Sequence, residues 1–376
     1  MNIAVVDELF ALNPRATIRL ADYQGETIEV AFGEGNRRRQ LTSDSHLLAS
    51  WLLAHTGPGL SNLKSVHLAQ LSMGLSLDDA EALVRNVIDE GLLIPSNERK
   101  PPTASEMAWL RWGWRDALDF HLSTRDVVFE SGDRDGMNKQ YQALMNWEQQ
   151  AKSGQDEASP GPYKEYINSK SIGLLSSRDL IDSITFGETI YKRRTTRGFD
   201  QRQISFKAIS ELFLHACGET GHLNVDGAGK QLLKTSPSGG ARHPVESYAA
   251  IFNVEGITPG LYHYNVRSHC LELIRENVDS KRVWELAHRQ GGLDNISMSV
   301  FFTARWKRHI WKYRYSRSYR MVMFDVAHIV QTFILTATAT DLRTFLTPAL
   351  ADNATRVFLG IQDDLEESAL YCVGVG

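Results

Sequence analysis

Three cysteines among 376 residues are too few and too widely spaced for most sulfur chemistry. Cys217, Cys270 and Cys372 offer neither the paired spacing of a zinc site nor the density of a disulfide framework. The start, Met-Asn-Ile-Ala-Val-Val-Asp-Glu, lacks the basic region and long apolar core of a secretory signal, and no apolar run reaches the length of a membrane span. We therefore expect a cytoplasmic protein with no metal site and no membrane anchor.

A large excess of charge is absent as well, since 41 Lys and Arg face 45 Asp and Glu. A composition of 42% hydrophobic and 23% charged residues allows the chain to bury substantial cores. The length predicts two or three domains. From the changes of pattern along the chain we predict an N-terminal domain at residues 1–97, a helical connector and flexible linker at 98–185, and a larger domain at 186–376.

The first hundred residues have the pattern of a small independent module. Alternating apolar residues predict a hairpin, amphipathic periodicity predicts three helices, and a short apolar run predicts a last strand. These segments are 17–20 and 27–32 for the hairpin, 45–55, 61–71 and 76–90 for the helices, and 92–95 for the strand. Their order predicts a winged-helix domain.

Winged helices often bind DNA, so the charge of this module is informative. Residues 1–100 contain nine Lys and Arg against thirteen Asp and Glu, a net charge of −4. Such a surface repels phosphates, which argues against nucleic acid as the partner. The module resembles the winged-helix element with which many peptide-tailoring enzymes bind a leader peptide at a sheet edge. A purely structural or dimer-stabilising domain is the open alternative.

The following residues combine a helical pattern with a polar stretch. Residues 105–120 place Met107, Leu110, Trp114 and Leu118 on one face, which predicts a packed helix. Residues 131–162 are rich in Gly, Asp, Gln, Lys and Pro and poor in apolar side chains, which predicts an exposed linker or a mobile arm.

The larger domain mixes helical and strand patterns. Periodicity predicts a helix at 204–216, and dense apolar runs predict strands at 247–254 and 298–304. Residues 321–340 are apolar almost all round and too long for a strand, which predicts a helix buried on every side. Asp325 and His328 lie on one face of this helix. We interpret them as residues that form a structural hydrogen bond rather than as metal ligands.

Two short stretches carry the chemistry. In Pro237-Ser-Gly-Gly240 the proline fixes one φ angle and the glycines allow the backbone to approach a ligand closely, although an ordinary surface turn has the same composition. Residues 192–197, Lys-Arg-Arg-Thr-Thr-Arg, combine cations with hydroxyls in the manner of a phosphate site, or of a solvated basic patch.

Together these stretches resemble the flavin-binding signatures of the nitroreductase family, and specifically its SagB-type branch, which includes azoline dehydrogenases of ribosomal peptide biosynthesis. The family's Arg-Arg-Ser-x-Arg-x-Phe is matched by residues 193–199, with Thr195 in place of serine. The branch's Pro-Ser-Gly-Gly-Ala-Arg-His-Pro is matched without a gap at 237–244. Two further stretches, 259–264 and 311–328, look like the same branch.

This resemblance implies an α+β nitroreductase fold, with a central antiparallel or mixed sheet flanked by helices, and an obligate homodimer whose two FMN molecules each touch both subunits. It also implies the residues that hold FMN. They are Arg193, Arg194, Thr195 and Arg197 for phosphate, ribityl and ring charge, Pro237, Ser238, Gly239, Gly240 and Arg242 in the loop over the ring, and the backbone amides near Ala349 and Leu350. The chain ends Tyr-Cys-Val-Gly-Val-Gly without the basic tail of many nitroreductases. A larger share of the phosphate contacts is therefore expected from Arg193, Arg194, Thr195 and Arg197, here called the Arg193 group.

Residues 305–320 have three interpretations. Seven Lys and Arg and five aromatic residues resemble a nucleic-acid stripe, and the same composition suits a solvated basic face. The segment also matches the Lys-Tyr pair of azoline dehydrogenases at Lys312 and Tyr313. In that family the pair is proposed to assist proton removal, a task that suits a lysine whose pKa burial lowers.

The resemblance therefore predicts an FMN-dependent dehydrogenase or oxidase that converts azolines to azoles in a peptide, with oxygen as the final oxidant. Expected partners are a second copy of the chain, a peptide whose leader binds residues 1–97, and other enzymes of the same biosynthesis. The alternatives are another oxidation of a peptide or amino acid, a nitro or quinone reductase fed by NAD(P)H, a peptide-binding scaffold with a degenerate flavin site, and a nucleic-acid regulator.

Overall fold

The structure, a computed structural model, describes residues 8–13, 16–20, 27–31, 38–42, 45–125, 133–225 and 229–376. The chain divides into two compact units, residues 1–129 and 130–376.

In its described residues, the first unit contains two small antiparallel sheets and five α-helices. One sheet has the order β5-β1-β6 and the other β2-β3-β4. Its elements are β1 (Leu9–Leu12), β2 (Thr17–Leu20), β3 (Thr27–Ala31), β4 (Arg38–Thr42), α1 (Ser45–Leu53), β5 (Leu60–Ser61), α2 (Asn62–Met73), α3 (Leu77–Asp89), β6 (Leu93–Pro95), α4 (Ala104–Arg111) and α5 (Arg115–Ser123).

The predicted elements of this unit are confirmed. The hairpin, the three helices and the last strand correspond to β2 and β3, α1 to α3, and β6. Serine side chains cap the starts of two helices. Ser61 Oγ accepts a hydrogen bond from Lys64 N at α2, and Ser76 Oγ accepts one from Asp79 N at α3. Trp51, Leu52 and Leu92 form part of a shared core. The winged-helix interpretation of this arrangement stays a prediction.

The packed helix predicted at 105–120 is wrong in two respects, because the structure has two helices there and leaves Met107 and Trp114 of the predicted packed face 52% and 58% exposed. Thr103 and Glu106 form a capping box at the start of α4. Gly113 adopts a φ of +77°, a conformation that interrupts a right-handed helix, and α5 begins two residues later. The apolar periodicity continues across this break, so the pattern alone does not show it.

Residues 130–376 form the second unit around a seven-stranded sheet of order β14-β15-β13-β10-β11-β12-β7, in which all neighbours are antiparallel. A separate hairpin joins β8 and β9. The elements are α6 (Arg134–Lys152), β7 (Ser171–Gly173), α7 (Phe186–Lys192), α8 (Phe206–Cys217), β8 (Glu219–Val225), β9 (Gly229–Lys234), β10 (Val245–Ile251), β11 (Gly260–Asn265), β12 (Cys270–Glu276), α9 (Ser280–Leu286), β13 (Met298–Arg305), α10 (Trp306–Ile310), α11 (Ser318–Ala339), β14 (Thr344–Thr347), α12 (Asp352–Leu359) and β15 (Glu367–Val375).

Helices cover both faces of this sheet. Because successive strand residues point to opposite sides, neighbouring residues of one strand enter two different apolar cores. Ala249 lies in one apolar core with Phe213 of α8 and Phe333 of α11. Its neighbour Tyr248 lies in the other core, with Leu286 of α9. The predicted α8, β10, β13 and α11 are confirmed, and so is the α+β fold.

Residues 131–162 differ from the linker that their composition predicts, within the described part from 133 onward. Asp133 caps the 19-residue helix α6. The residues after it, 153–166, here called the strap, extend along the sheet. Lys164 Nζ donates to Glu367 Oε2 at 2.6 Å, and Tyr166 N donates to Glu272 Oε2 at 3.1 Å. Polar contacts with charged partners, which composition does not reveal, hold this segment in place.

The prediction that residues 321–340 are buried on every side is wrong for the single chain. Val326, Val330 and Phe333 of α11 lie in the core, whereas Phe324 on another face is 58% exposed. Among the described helices, α11 has the length and composition of a membrane span, but a helix packed in a protein core has the same composition. An apolar face of this helix is thus left uncovered by its own chain.

Candidate active site

The segment Ser236–Pro244, here called the glycine loop, is held by the core helix α11. Ser238 Oγ donates to Asp325 Oδ2 at 2.5 Å, and Gly239 N donates to Asp325 Oδ1 at 3.2 Å. His243 N donates in turn to Ser238 Oγ at 2.9 Å. Burial raises the pKa of Asp325, although the bonds from Ser238 and Gly239 oppose the shift. The interpretation of Asp325 as a structural hydrogen-bonding residue is confirmed.

The two glycines are needed because side chains crowd the turn. A Cβ at Gly240 would meet Tyr313 Oη and would lie 2.7 Å from Lys312 Nζ. A Cβ at Gly239 would lie 3.0 Å from His309 Cε1. Gly240 also has a φ of +58°, which favours glycine. The backbone of the glycine loop therefore packs directly on three titratable side chains.

Lys312 and Tyr313 converge on Gly240 although they are adjacent in sequence. They lie in the turn that follows α10, where both backbone N–H groups donate to His309 O, at 3.2 and 3.0 Å. Regular structure would direct neighbouring side chains apart, but this turn does not. Burial, followed by the charge of Arg242, lowers the pKa of Lys312, and burial raises the pKa of Tyr313. A lysine with a lowered pKa has a larger neutral fraction and accepts protons more readily.

His309 is a site residue that sequence reasoning missed. It is fully buried in α10, and its ring centroid lies 4.8 Å from that of Tyr313. Neither ring nitrogen has a hydrogen-bond partner among the residues that the structure describes. Burial, and then the charges of Arg242 and Lys312, lower its pKa to about 4, so the imidazole is neutral near pH 7. In the sequence it is one of sixteen residues of a basic, aromatic segment, and nothing marks it out.

Arg242, predicted to bind the cofactor, contacts other residues of the protein. Its Nε donates to Arg308 O at 2.8 Å and its Nη2 to Ser159 Oγ at 3.1 Å. The guanidinium carbon lies 5.4 Å from the ring centroid of Trp311. Arg242 thus ties the glycine loop to α10 and to the strap, and its contact with a cofactor stays a prediction.

The predicted phosphate-binding residues 193–197 follow α7 and lie beside β14. Thr196 N donates to Thr344 O at 2.9 Å, and the guanidinium of Arg197 lies 5.7 Å from the ring centroid of Phe345. Arg194 donates only to backbone carbonyls, those of residues 191 and 193, in the described contacts. Within the described part of the chain, Arg193, Arg194 and Arg197 form no salt bridge. Cations without acidic partners suit an anionic ligand.

The predicted amides at residues 349 and 350 follow β14 directly. Ala349 N already donates to Thr347 Oγ1 at 3.0 Å, so this group is engaged within the chain. The Leu350 N–H has no acceptor among the described residues, and the Leu350 side chain is buried. Of the two predicted amides, Leu350 is the better placed to serve a ligand.

The basic residues of segment 305–320 are largely paired with the second unit's own acids. Lys307 Nζ lies 2.8 Å from Glu157 Oε2, Arg308 Nη2 lies 2.6 Å from Glu246 Oε1, and Arg314 Nη2 lies 2.7 Å from Asp156 Oδ2. These pairs fasten the segment to the strap and to β10. A nucleic-acid stripe requires cations that face solvent, so the structure gives this alternative no support.

The residues around the glycine loop fit a flavin by their chemistry. The loop brings side-chain-free backbone to Lys312, to Tyr313 and to the buried imidazole of His309, which has no hydrogen-bond partner in the described part of the chain. The cations of residues 193–197, of which Arg194 and Arg197 are exposed and Arg193 is half-buried, suit a phosphate. Among the described residues, no group of three or more His, Cys, Asp or Glu is arranged to hold a metal ion.

Two known proteins are similar to more than two thirds of this chain. The chain is 27% identical over 271 residues to the trifolitoxin-processing protein TfxB of Rhizobium leguminosarum bv. trifolii, covering 69% of this chain and 70% of that protein. It is 26% identical over 322 residues to the trifolitoxin operon protein TfxC of the same organism, covering 82% and 85%.

A solved structure of the Escherichia coli microcin synthetase McbBCD complex with truncated pro-MccB17 bound contains a chain that is 20% identical. The match covers 57% of this chain and 77% of that one, with a TM-score of 0.42.

Residues 190–376 match the nitroreductase family. Proteins of this family bind FMN, and FMN is the cofactor of this domain. The glycine loop, the core helix that anchors it and the Arg193 group all lie within the matched residues. Through residues 190–376, this chain belongs to the nitroreductase family of oxidoreductases.

Proposed function

We propose that this protein is an FMN-dependent dehydrogenase that oxidises azoline rings to azoles in a peptide. The observation that carries the proposal is the convergence of Lys312 Nζ and Tyr313 Oη on Gly240 of the glycine loop. Relatives over more than two thirds of the chain include a trifolitoxin-processing protein, which supports a role in maturing a peptide product.

The proposed reaction removes two hydrogens from the ring, one as a hydride and one as a proton. FMN, when bound, accepts the hydride. The proton leaves the ring carbon for Lys312, whose lowered pKa suits a base, and the Tyr313 hydroxyl orients or relays it. Oxygen is the proposed final acceptor of the electron pair. Both side chains are half-buried, which limits competition from water.

The proposed cofactor contacts are those of the Arg193 group with phosphate and of Pro237–Gly240 with the ring, with Arg242, Ala349 and Leu350 beside them. We also propose that two copies assemble through the exposed face of α11. Phe324 on α11 is 58% exposed, and Phe186 and Tyr191 on α7 are 73% and 81% exposed. Apolar side chains exposed in this number on a core helix and its neighbour fit a homodimer interface.

Residues 1–97 are the proposed recognition domain for the leader of the peptide, and other enzymes of the same biosynthesis are proposed partners. The edges of the sheet formed by β2, β3 and β4 offer backbone groups to an added strand. The acidic balance of residues 1–100 fits a peptide better than a nucleic acid.

Substitution of the proposed base tests this function. We expect purified protein to be yellow, and Lys312→Ala to keep FMN while the oxidation of an azoline-containing peptide falls by roughly 100-fold or more. Anaerobic bleaching of the flavin by the peptide measures the step directly. Lys281→Ala, at an exposed position of α9, is the control and should leave the rate unchanged.

Several outcomes would contradict the proposal. A protein that cannot be reconstituted with FMN would point to a scaffold instead. Bleaching by NAD(P)H with no response to azoline peptides would point to a nitro or quinone reductase. Unchanged peptide oxidation in Lys312→Ala would remove Lys312 from the mechanism.

A further inference from the structure

His309 is unusual among the buried histidines of this chain. His55 is equally buried, but its Nδ1 lies 2.8 Å from Trp51 O and its Nε2 lies 2.8 Å from Ser65 Oγ. His263 lies between Glu246 and Glu272, and His243 Nε2 lies 3.0 Å from Leu232 O. Only for His309, among the described histidines, are both ring nitrogens buried and without a partner.

A neutral imidazole has one donor and one acceptor, and burying them without partners is unfavourable. Native proteins pair nearly all such groups, so an unpaired one requires an explanation in a bound group or a function. The position of His309 supplies that explanation, because a Cβ on Gly239 would lie 3.0 Å from His309 Cε1 and 3.7 Å from Nε2. The imidazole therefore lies against the backbone of the glycine loop.

The neighbours of His309 favour a neutral ring. Arg242 and Lys312 act on it with positive charge, and Tyr313 packs beside it with the two rings inclined at 33°. A neutral histidine offers one donor and one acceptor at a fixed separation. The polar edge of a flavin ring likewise presents donors and acceptors side by side.

We propose that His309 is a cofactor-positioning residue, whose imidazole makes its missing hydrogen bonds to FMN or to a water that FMN holds at the glycine loop. This inference rests on the proposed function only in placing FMN beside Gly239. Through its carbonyl, which accepts from Lys312 N and Tyr313 N, His309 would also couple the position of the cofactor to that of the two reacting side chains.

The test compares His309→Phe with His309→Gln by thermal unfolding and by FMN titration. Phenylalanine removes both polar atoms, so we expect the apoprotein to melt a few degrees higher and the Kd for FMN to rise about 3- to 10-fold, the effect of one or two lost hydrogen bonds. Glutamine keeps a donor and an acceptor and should restore most of the affinity. His309→Leu repeats the test with a side chain that is not larger than histidine.

His55→Phe is the matched control, because it removes a buried histidine whose two nitrogens are bonded. It should lower the melting temperature and leave the Kd for FMN unchanged. The proposal is overturned if His309→Phe and His309→Leu bind FMN as tightly as the wild type. It is also overturned if His309→Gln binds FMN as weakly as those two variants. A wild-type apoprotein that does not respond to FMN would overturn the proposed function along with it.

Discussion

The second unit contains two buried polar clusters that differ in one property, the completeness of their pairing. Beneath the strap, His263 lies 3.1 Å from Glu246 Oε2 and 3.0 Å from Glu272 Oε2, and Glu367 accepts bonds from Lys164 and Tyr248. Around the glycine loop, both nitrogens of the buried His309 lack partners in the described structure. In the first cluster, here called closed, each of these groups has a charged or hydrogen-bonding partner, and Glu246 Oε1 has its own in the ion-pair contact of 2.6 Å with Arg308 Nη2. In the second cluster, here called open, His309 has no such partner among the described residues.

This difference separates groups that hold the fold from groups that serve a ligand. Burial works against the charge of His263, but its bonds to Glu246 and Glu272 prevail and raise its pKa. The same force, burial, lowers the pKa of His309, where no carboxylate opposes it. A paired buried charge fastens strands and strap together, and an unpaired buried imidazole keeps hydrogen-bonding capacity for a molecule that arrives later.

The largest effect is expected from opening the closed cluster. Glu246→Gln leaves the buried Arg308 without its carboxylate and His263 with Glu272 as its remaining carboxylate, and the removal of one partner from a buried ion pair costs about 3–5 kcal/mol of unfolding free energy. Urea unfolding measures the loss. Glu276→Gln, whose exposed carboxylate lies 3.5 Å from Lys170 Nζ, is the control, and an equal loss there would contradict the importance of burial.

The histidines of the two clusters are expected to change the unfolding free energy in opposite directions as the pH changes. Because the folded pKa of His309 is about 4 and the unfolded value is about 6.5, the unfolded state takes up a proton first as the pH falls, and the apoprotein loses stability between pH 6.5 and 4. His263 has a raised pKa and acts oppositely, with stability that is lost as the pH rises through its folded value.

His309→Phe should therefore remove about 3 kcal/mol of the loss of unfolding free energy between pH 7 and pH 4. Chemical unfolding at a series of pH values measures the difference between variant and wild type. Parallel pH profiles for the two proteins would show that the folded His309 titrates normally.

Filling the glycine loop should weaken the open cluster without disturbing the closed one. Gly240→Ala introduces a Cβ against Lys312 and Tyr313 at a positive φ, and we expect a cost of about 1–3 kcal/mol together with weaker FMN binding. Gly256 has a similar φ of +68° but open space around it. Gly256→Ala should thus cost less and leave FMN binding unchanged, and an equal effect on FMN would refute the crowding at Gly240.

The smallest effect is expected at the surface. Lys307 and Glu157 form an ion pair between α10 and the strap in which both side chains are more than half exposed. Such pairs contribute less than about 1 kcal/mol, so Lys307→Ala should barely change thermal stability. A large loss would show that the strap depends on this pair more than on the buried Glu367 bonds.

Much of the fold follows from local pattern. Alternation, periodicity and serine caps predict the hairpin and three helices of the first unit and also α8, β10, β13 and α11, because each reflects which side chains face a core. The two helices at residues 104–123 and the helix α6 escape the same reasoning. Gly113 ends a helix through its φ angle, and α6 and the strap are stabilised by contacts with residues distant in sequence.

The sequence by itself determined the family, through the order of its short motifs, and with it the cofactor and the glycine loop. Only the tertiary structure decided which side chains meet at that loop. Lys312 and Tyr313 converge because a turn, not a helix or a strand, follows α10. His309 is enclosed where α10 packs against the glycine loop and Tyr313. Motifs record local backbone requirements, whereas the pairing of a buried polar group depends on residues brought together from separate parts of the chain.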